Sequence, residues 1–375
     1  MEREFMEPKI EQGLLSGELW EEYCDILKRA GHQLLRPETP RTAFDQAEGM
    51  RYLSRLIRGG LEMMVEAADP DLPVFIVPSH ETLKIGGDNP DNLYMTARIN
   101  GQHRYRLRGS RGTVPTLNFA TKKGGFERAG SNLLGTGFLD GKDLQVMADG
   151  SFEIVIGPQQ PASGNWLPTE AESHMLLVRQ TFHDRRSEKP AVLSIERLDR
   201  VGEAPPLDPA QFSANLRSAA LYVERVASLF CDWTRDFKTG HFNTLPLGDQ
   251  AVFQAAGGDP NIVYYQGYWK LADDEAMIVD ARVPECDFWN FQVNNYWQES
   301  LDYRYHRIHL NCKGAQYQPD GSVRIVVAHR DPGTPNWLTT AGHHEGTCLF
   351  RLIGAQGRLA ELTTRVVKVD AVPQS

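Results

Sequence analysis

Five of the chain's eleven histidines, His306, His309, His329, His343 and His344, fall between residues 306 and 344. Imidazole titrates near pH 6.5, about the value at which a group can both give and take a proton in neutral solution. Arg330 directly follows His329 and has the forked, permanently charged geometry that holds a carboxylate, phenolate or enolate while a proton moves. Tyr303 and Tyr305, read on the same strand face as His309, offer a phenol as acid partner. The candidate catalytic set is therefore His329, Arg330, His343, Tyr303 and His309. Trp289, Asn290, Trp297, Asn336 and Trp337 supply rings and amides suited to a flat, apolar substrate and form the candidate substrate-binding set.

Metal and cofactor chemistry are less well served. On a strand, His306 and His309 point to opposite faces because their separation is odd, and His343-His344-Glu345 has no recognised ligand spacing. No G-x-G-x-x-G opens a helix after a strand, and P-loop, G-x-S-x-G and H-E-x-x-H are absent. We therefore expect no metal and no cofactor. The reading that follows is a cofactor-independent acid–base enzyme of small-molecule catabolism, a lyase or isomerase on an aromatic or polycyclic substrate. The alternative is a carbohydrate- or small-ligand-binding protein without turnover.

The elements that must position these residues come as a duplication. Gly150-Ser151-Phe152-Glu153-Ile154-Val155-Ile156, a Pro/Gly-rich loop and Asn165-Trp166-Leu167 recur 171 positions later as Gly321-Ser322-Val323-Arg324-Ile325-Val326-Val327, a second such loop and Asn336-Trp337-Leu338. Asn118-Phe119 matches Asn290-Phe291, and Pro90 with Tyr94 matches Pro260 with Tyr264. Each β-rich stretch follows an amphipathic helical segment, about Thr42 to Ala67 and about Asp208 to Phe237, with apolar residues at three- and four-residue steps. A further helix, Ser16 to Leu35, precedes both.

Short strands separated by Gly, Pro and Asp turns favour antiparallel pairing. The fold class is α+β: two duplicated modules, each a helix plus an antiparallel sandwich or jelly-roll-like sheet system, behind an N-terminal helical segment. The boundaries are 1–40, 41–204 and 205–375, the last module carrying the candidate site; Gly202 to Pro206 reads as the linker and Asp208-Pro209 as a helix start. Strands are expected at Asp302–Leu310 and Val323–His329, among others, and the glycine-rich stretch Gly130–Gly137 reads as a flexible loop.

The duplication is its own control. What both copies share, such as Asn-Trp, is read first as structural: an amide closing a turn and an indole filling the sheet interface. The copies diverge where Gly157-Pro158-Gln159-Gln160 stands opposite Ala328-His329-Arg330-Asp331, and Glu172-Ser173 opposite His343-His344. Function is sought where the second copy alone carries ionisable groups.

Asp88-Asn89-Pro90-Asp91-Asn92-Leu93-Tyr94, Tyr105-Arg106-Leu107-Arg108-Gly109, and above all His329-Arg330-Asp331-Pro332-Gly333 leading to Asn336-Trp337-Leu338, resemble the bacterial domain-of-unknown-function family 1214 from about Thr42 onward. The resemblance implies a β-rich, jelly-roll-like fold. Through the bacteria that carry such proteins, it also implies a role in degrading aromatic compounds.

Bulk properties narrow the partners. At 375 residues, with 41% hydrophobic and 24% charged residues, the chain can build two ordinary cores. Its net charge of −9 argues against nucleic acid. No apolar run approaches the roughly 18 residues of a membrane span, and the acidic start MEREFMEP lacks the features of a signal peptide. Five cysteines without close spacing point away from disulfides and zinc. The expected setting is the cytoplasm, with a small-molecule substrate as partner and a homo-oligomer left open.

Overall fold

The computed structural model describes residues 11–200 and 202–374. Two compact units divide the chain, and each is discontinuous. One comprises the residues up to Leu35 with Leu53–Leu83 and Asn92–Ser228; the other comprises Arg36–Tyr52, Lys84–Asp91 and the residues from Leu229 on.

Helix α1 (Glu18–Gly31) places Leu19, Tyr23 and Ile26 on one face, where they meet Leu216 and Ala220 of α3 (Pro209–Gly240) inside the first unit. Helix α2 (Ala43–Leu61) continues through a single wide turn, Glu62–Glu66, and α4 (Gln250–Ala255) is short and capped by Asp249. Both long amphipathic segments are helical as their periodicity predicts. Among the described residues, no helix is long and apolar enough to cross a membrane.

Among the described residues, each unit contains eight strands in two four-stranded sheets. The first has β1 (Asn92–Arg98), β2 (Tyr105–Ser110), β3 (Thr116–Gly125), β4 (Asn132–Asp140), β5 (Ser151–Gly157), β6 (Asn165–Pro168), β7 (Met175–Thr181) and β8 (Val192–Arg197). The second has β9 (Ile262–Lys270), β10 (Glu275–Arg282), β11 (Phe288–Val293), β12 (His309–Asn311), β13 (Val323–Ala328), β14 (Trp337–Thr339), β15 (Glu345–Ile353) and β16 (Glu361–Lys368).

The sheet orders β4-β3-β7-β1 and β6-β5-β2-β8 reappear as β12-β11-β15-β9 and β14-β13-β10-β16, so the duplication holds strand for strand. Pairing is antiparallel except for β5 with β6 and β13 with β14, which makes the sheets open and mixed. In the second unit both sheets feed one core: Trp269, Phe291 and Phe350 from one, and Met277, Val279, Ile325 and Val327 from the other.

Two local expectations are corrected. Gly130–Gly137 is not a flexible loop, since most of it forms β4, paired with β3 around a bulge. Gly137 lies there because a Cβ would come within 2.2 Å of the Pro168 carbonyl oxygen. The stretch Asp302–Leu310 is not one strand, and only His309–Asn311 pairs. Asp302 instead nucleates a turn, its carboxylate accepting from the Arg304 N–H at 3.2 Å and its carbonyl from the His306 N–H at 3.0 Å. The edge strands β8 and β16 alternate exposed with half-buried residues, and only Leu193 and Ile195 of the one and Leu362 and Val366 of the other pack against the cores, a weak signal in the sequence.

The Asn-Trp pairs perform the same task in both copies. Asn165 donates to the carbonyls of Gln145 (3.0 Å) and Glu153 (2.9 Å) and accepts from the Gln145 N–H (2.8 Å). Asn336 donates to Gln316 (2.7 Å) and Arg324 (2.9 Å) and accepts from the Gln316 N–H (2.9 Å). The Trp166 and Trp337 indoles donate to the carbonyls of Gly157 and Ala328 at 3.0 and 3.1 Å. Removing either amide strands three backbone groups. Asn165→Ala and Asn336→Ala are each expected to cost about 2–4 kcal/mol in urea unfolding; a loss under about 0.5 kcal/mol at either position would refute this shared role.

Candidate functional site

Strand β11 alternates Trp289, Phe291 and Val293 with Asn290 and Gln292, and Asn294 continues the amide face just beyond it. The first three enter the core of the second unit. The amides face the other way and would ordinarily meet water, yet Asn290, Gln292 and Asn294 are fully buried. A buried amide needs partners, and an arm of the same unit, Lys84–Asp91, supplies most of them.

Asn290 donates to Asn89 Oδ1 at 2.6 Å and Asp91 Oδ2 at 2.9 Å. Gln292 donates to the Asp88 carbonyl at 2.7 Å. The Asp88 carboxylate accepts from the N–H and hydroxyl of Ser300 at 2.8 and 2.7 Å. Arg351, on β15, donates to Gln292 Oε1 at 2.5 Å and to the Gly87 carbonyl. Lys84, almost fully buried, donates to the carbonyls of Ser300 and Leu301 at 2.5 and 3.0 Å. The arm lies this close because Gly86 and Gly87 have φ of +52° and +68°, and a Cβ on them would fall 2.1 Å from the Phe230 ring and 2.6 Å from Leu349.

His309 meets this network at the edge strand β12, its Nε2 3.3 Å from Asp91 Oδ1. Burial pushes the Asp91 carboxyl up, but the His309 ring and the amides of Asn290 and Asn311 outweigh it and hold the group below the usual carboxylate range. An ionised Asp91 only accepts, so the His309 Nε2 directs an N–H at it, a carboxylate orienting an imidazole. Nδ1 is buried and has no hydrogen-bond partner among the described residues. The Tyr303 ring stands edge-on to His309 at 6.2 Å, and the Lys84 ammonium lies 4.8 Å from the Tyr303 ring centre. In the first copy Phe138 pairs with Ala120 where His309 pairs with Gln292, so the imidazole belongs to the second copy alone.

The other candidate catalytic residues lie elsewhere. His329, just past β13, hydrogen-bonds Thr340 Oγ1 through Nδ1 at 2.8 Å and stands 3.3 Å from the Leu271 carbonyl through Nε2. Its ring is 4.9 Å from that of His344, whose Nε2 contacts Asp273 Oδ1 at 2.9 Å. One ligand atom each of Asp273, His329 and His344 lies within 4.8 Å of the others. His343 is buried against Phe44, ring centres 4.7 Å apart, and burial holds it below the ordinary imidazole value against the pull of Glu48. Arg330 is half-exposed and paired with Asp370 at 2.5 Å. Of the five, then, the structure joins Tyr303 with His309 and directs His329, His343 and Arg330 to three other sets of neighbours.

The five substrate-binding candidates are also dispersed. Trp289 stacks on Phe350 at 5.4 Å within the core, and Trp297 is buried between Tyr296 and Tyr52. Asn290 anchors the arm. Asn336, with Gln316, Tyr317, Gln318, Arg324 and Thr334, lines a surface depression of about 240 Å³, whereas Trp337 is held by its bond to Ala328. Sequence reasoning overlooked Lys84, Asp88, Asp91 and Arg351. The signal available was an amide at every second position from 290 to 294, three times in succession on an otherwise apolar strand.

Residues 94–183 and 275–357 match the family described as Protein of unknown function (DUF1214). A crystal structure of an uncharacterised protein from Burkholderia cenocepacia is similar at 51% identity and a TM-score of 0.94, covering 96% of this chain and 99% of that one. The VPA0106 protein from Vibrio parahaemolyticus shares 11% identity with a TM-score of 0.48, over 86% of this chain and 98% of that one. No curated protein matches.

Because its native carboxyl titrates below the unfolded value of about 3.9, Asp91 contributes stability that is present above that pH and lost as the pH falls through its native value. Asp91→Asn is expected to cost about 3–5 kcal/mol at pH 7, since it leaves His309 and two amides facing an amide. Urea titrations at pH 7 and pH 3 should show the gap from the parent protein narrowing at the lower pH. Equal gaps would refute the assignment.

Proposed function

We propose, from the premise that this chain belongs to the DUF1214 family, that it is an acid–base enzyme of small-molecule catabolism working with its own side chains. The reaction class is lyase or isomerase, and the substrate aromatic or polycyclic. The observation that carries this reading is the Asp91–His309 pair, a buried carboxylate that sets the tautomer of an imidazole whose other nitrogen is unengaged.

In this reading His309 Nδ1 takes a proton from a carbon or oxygen of the substrate, and Asp91 stabilises the imidazolium that results. Tyr303, edge-on to His309, is the acid partner. The turn before β12 adds an exposed Tyr305 ring with the Arg304 guanidinium 5.1 Å from its centre, which suits a flat substrate that develops negative charge. Five free cysteines fit a reducing, cytoplasmic compartment, and the acidic surface fits a partner other than nucleic acid.

The second reading is a carbohydrate- or small-ligand-binding protein on a jelly-roll-like sandwich. It is favoured by the 240 Å³ depression, whose lining is rich in amides and in which Thr334 Oγ1 is buried without a partner among the described residues. There a ligand would be held and released unchanged.

The two readings separate in one experiment. Incubation with pooled aromatic and sugar metabolites followed by mass analysis should give a new product, and His309→Gln should lower its rate by about 10²–10⁴-fold when assayed below the lowered melting temperature that loss of the Asp91 partner brings, with circular dichroism showing the variant folded. Product formation that survives His309→Gln would sink the acid–base assignment. Ligand recovered unchanged would instead support the binding reading.

A further inference from the structure

Asp273, His329 and His344 come from three separate segments and meet at one end of the second unit. Asp273 lies in the turn between β9 and β10, His329 directly after β13, and His344 directly before β15. The strands fix their places. Lys270 pairs with Glu345 in one sheet, Ala276 pairs with Ala328 in the other, and the Leu271 N–H donates to the His344 carbonyl at 2.9 Å.

We propose that these three side chains form a binding site for a divalent first-row transition metal of the zinc or nickel kind. The inference is independent of the acid–base reading at His309. Two imidazoles and one carboxylate are the donor set such ions take, leaving at least one coordination position for water or an exogenous ligand. Bonds of about 2.0–2.2 Å to one ion keep ligand atoms within about 4.2 Å of each other. The present spread of up to 4.8 Å closes with a small rotation of Asp273 and His344, whose side chains are 90% and 59% exposed. His329 is the fixed member. Whichever of its nitrogens takes the ion, the other can donate to Thr340 Oγ1 or to the Leu271 carbonyl, the outer hydrogen bond that orients a ligating imidazole.

The duplication supplies an independent argument. Gly101 donates to the Ser173 carbonyl at 2.7 Å, as Leu271 does to that of His344, so the two ends are built alike. There, Pro158 occupies the position of His329 and, by the register that sets Arg179 opposite Asn118 and Arg351 opposite Asn290, Glu172 that of His344. The frame is common to both copies, and the two imidazoles occur in one. A need of the fold itself would have appeared twice.

The test is calorimetric titration of the whole chain with zinc chloride and, separately, nickel chloride after chelator treatment. One equivalent should bind, and His344→Ala and Asp273→Asn should each weaken binding by about tenfold or more. His306→Ala, which removes another exposed imidazole, should leave it unchanged. Because the altered side chains are exposed, melting temperatures in chelator should match the parent. Binding of neither metal, or binding that His344→Ala leaves intact, overturns the proposal.

Discussion

The constraint on which the second unit turns is the cost of buried amides. Asn290, Gln292 and Asn294 project from a strand whose opposite face is core, and their own face is closed off from water. Unpaired, each would cost on the order of 1–3 kcal/mol. The arm from Lys84 to Asp91 satisfies most of this demand, and in doing so brings a carboxylate to His309. Positive φ at Gly86 and Gly87, the Asn89 side chain accepting from the Asp91 N–H, and the Arg351 hydrogen bonds to Gln292 and the Gly87 carbonyl all serve that one fit. The candidate site is thus a by-product of solving a packing problem with polar groups.

Duplication separates frame from chemistry. Eight strands, two sheet orders and the Asn-Trp turn recur with matching hydrogen bonds, so they answer to folding. Among the replacements, three bring an imidazole into the second copy: Phe138 by His309, Pro158 by His329 and, by the strand register, Glu172 by His344. They fall at strand ends and on an edge strand, where a side chain can change without repacking a core.

The sequence made the frame readable because its signals were local. Helical periodicity marked α2 and α3, and Asp-Gly turns marked β5 and β13. The site was harder to read because its partners are remote: Asp91 and Asn311 are separated by 220 residues, and no spacing rule reaches that far. The run Tyr-Arg-Tyr-His-Arg-Ile-His alternates like a strand, yet Asp302 captures the backbone of the following residues and turns it. The five histidines cluster along the chain, but strand geometry sends His343 inward against Phe44 and neighbouring His344 outward to Asp273.

The discontinuity of the second unit also bears on how the chain matures. On a ribosome adding about 5–20 residues per second, the segment bearing Asp91 emerges some 220 residues before Asn311. Its carboxylates and the Lys84 ammonium therefore stay hydrated for roughly 10–45 s until the strand that will receive them exists. An arm made, Ile85 apart, of Asp, Asn, Gly, Pro and Lys, and broken by Gly86, Gly87 and Pro90 so that it does not pair as an edge strand, is a composition that can wait that long without aggregating.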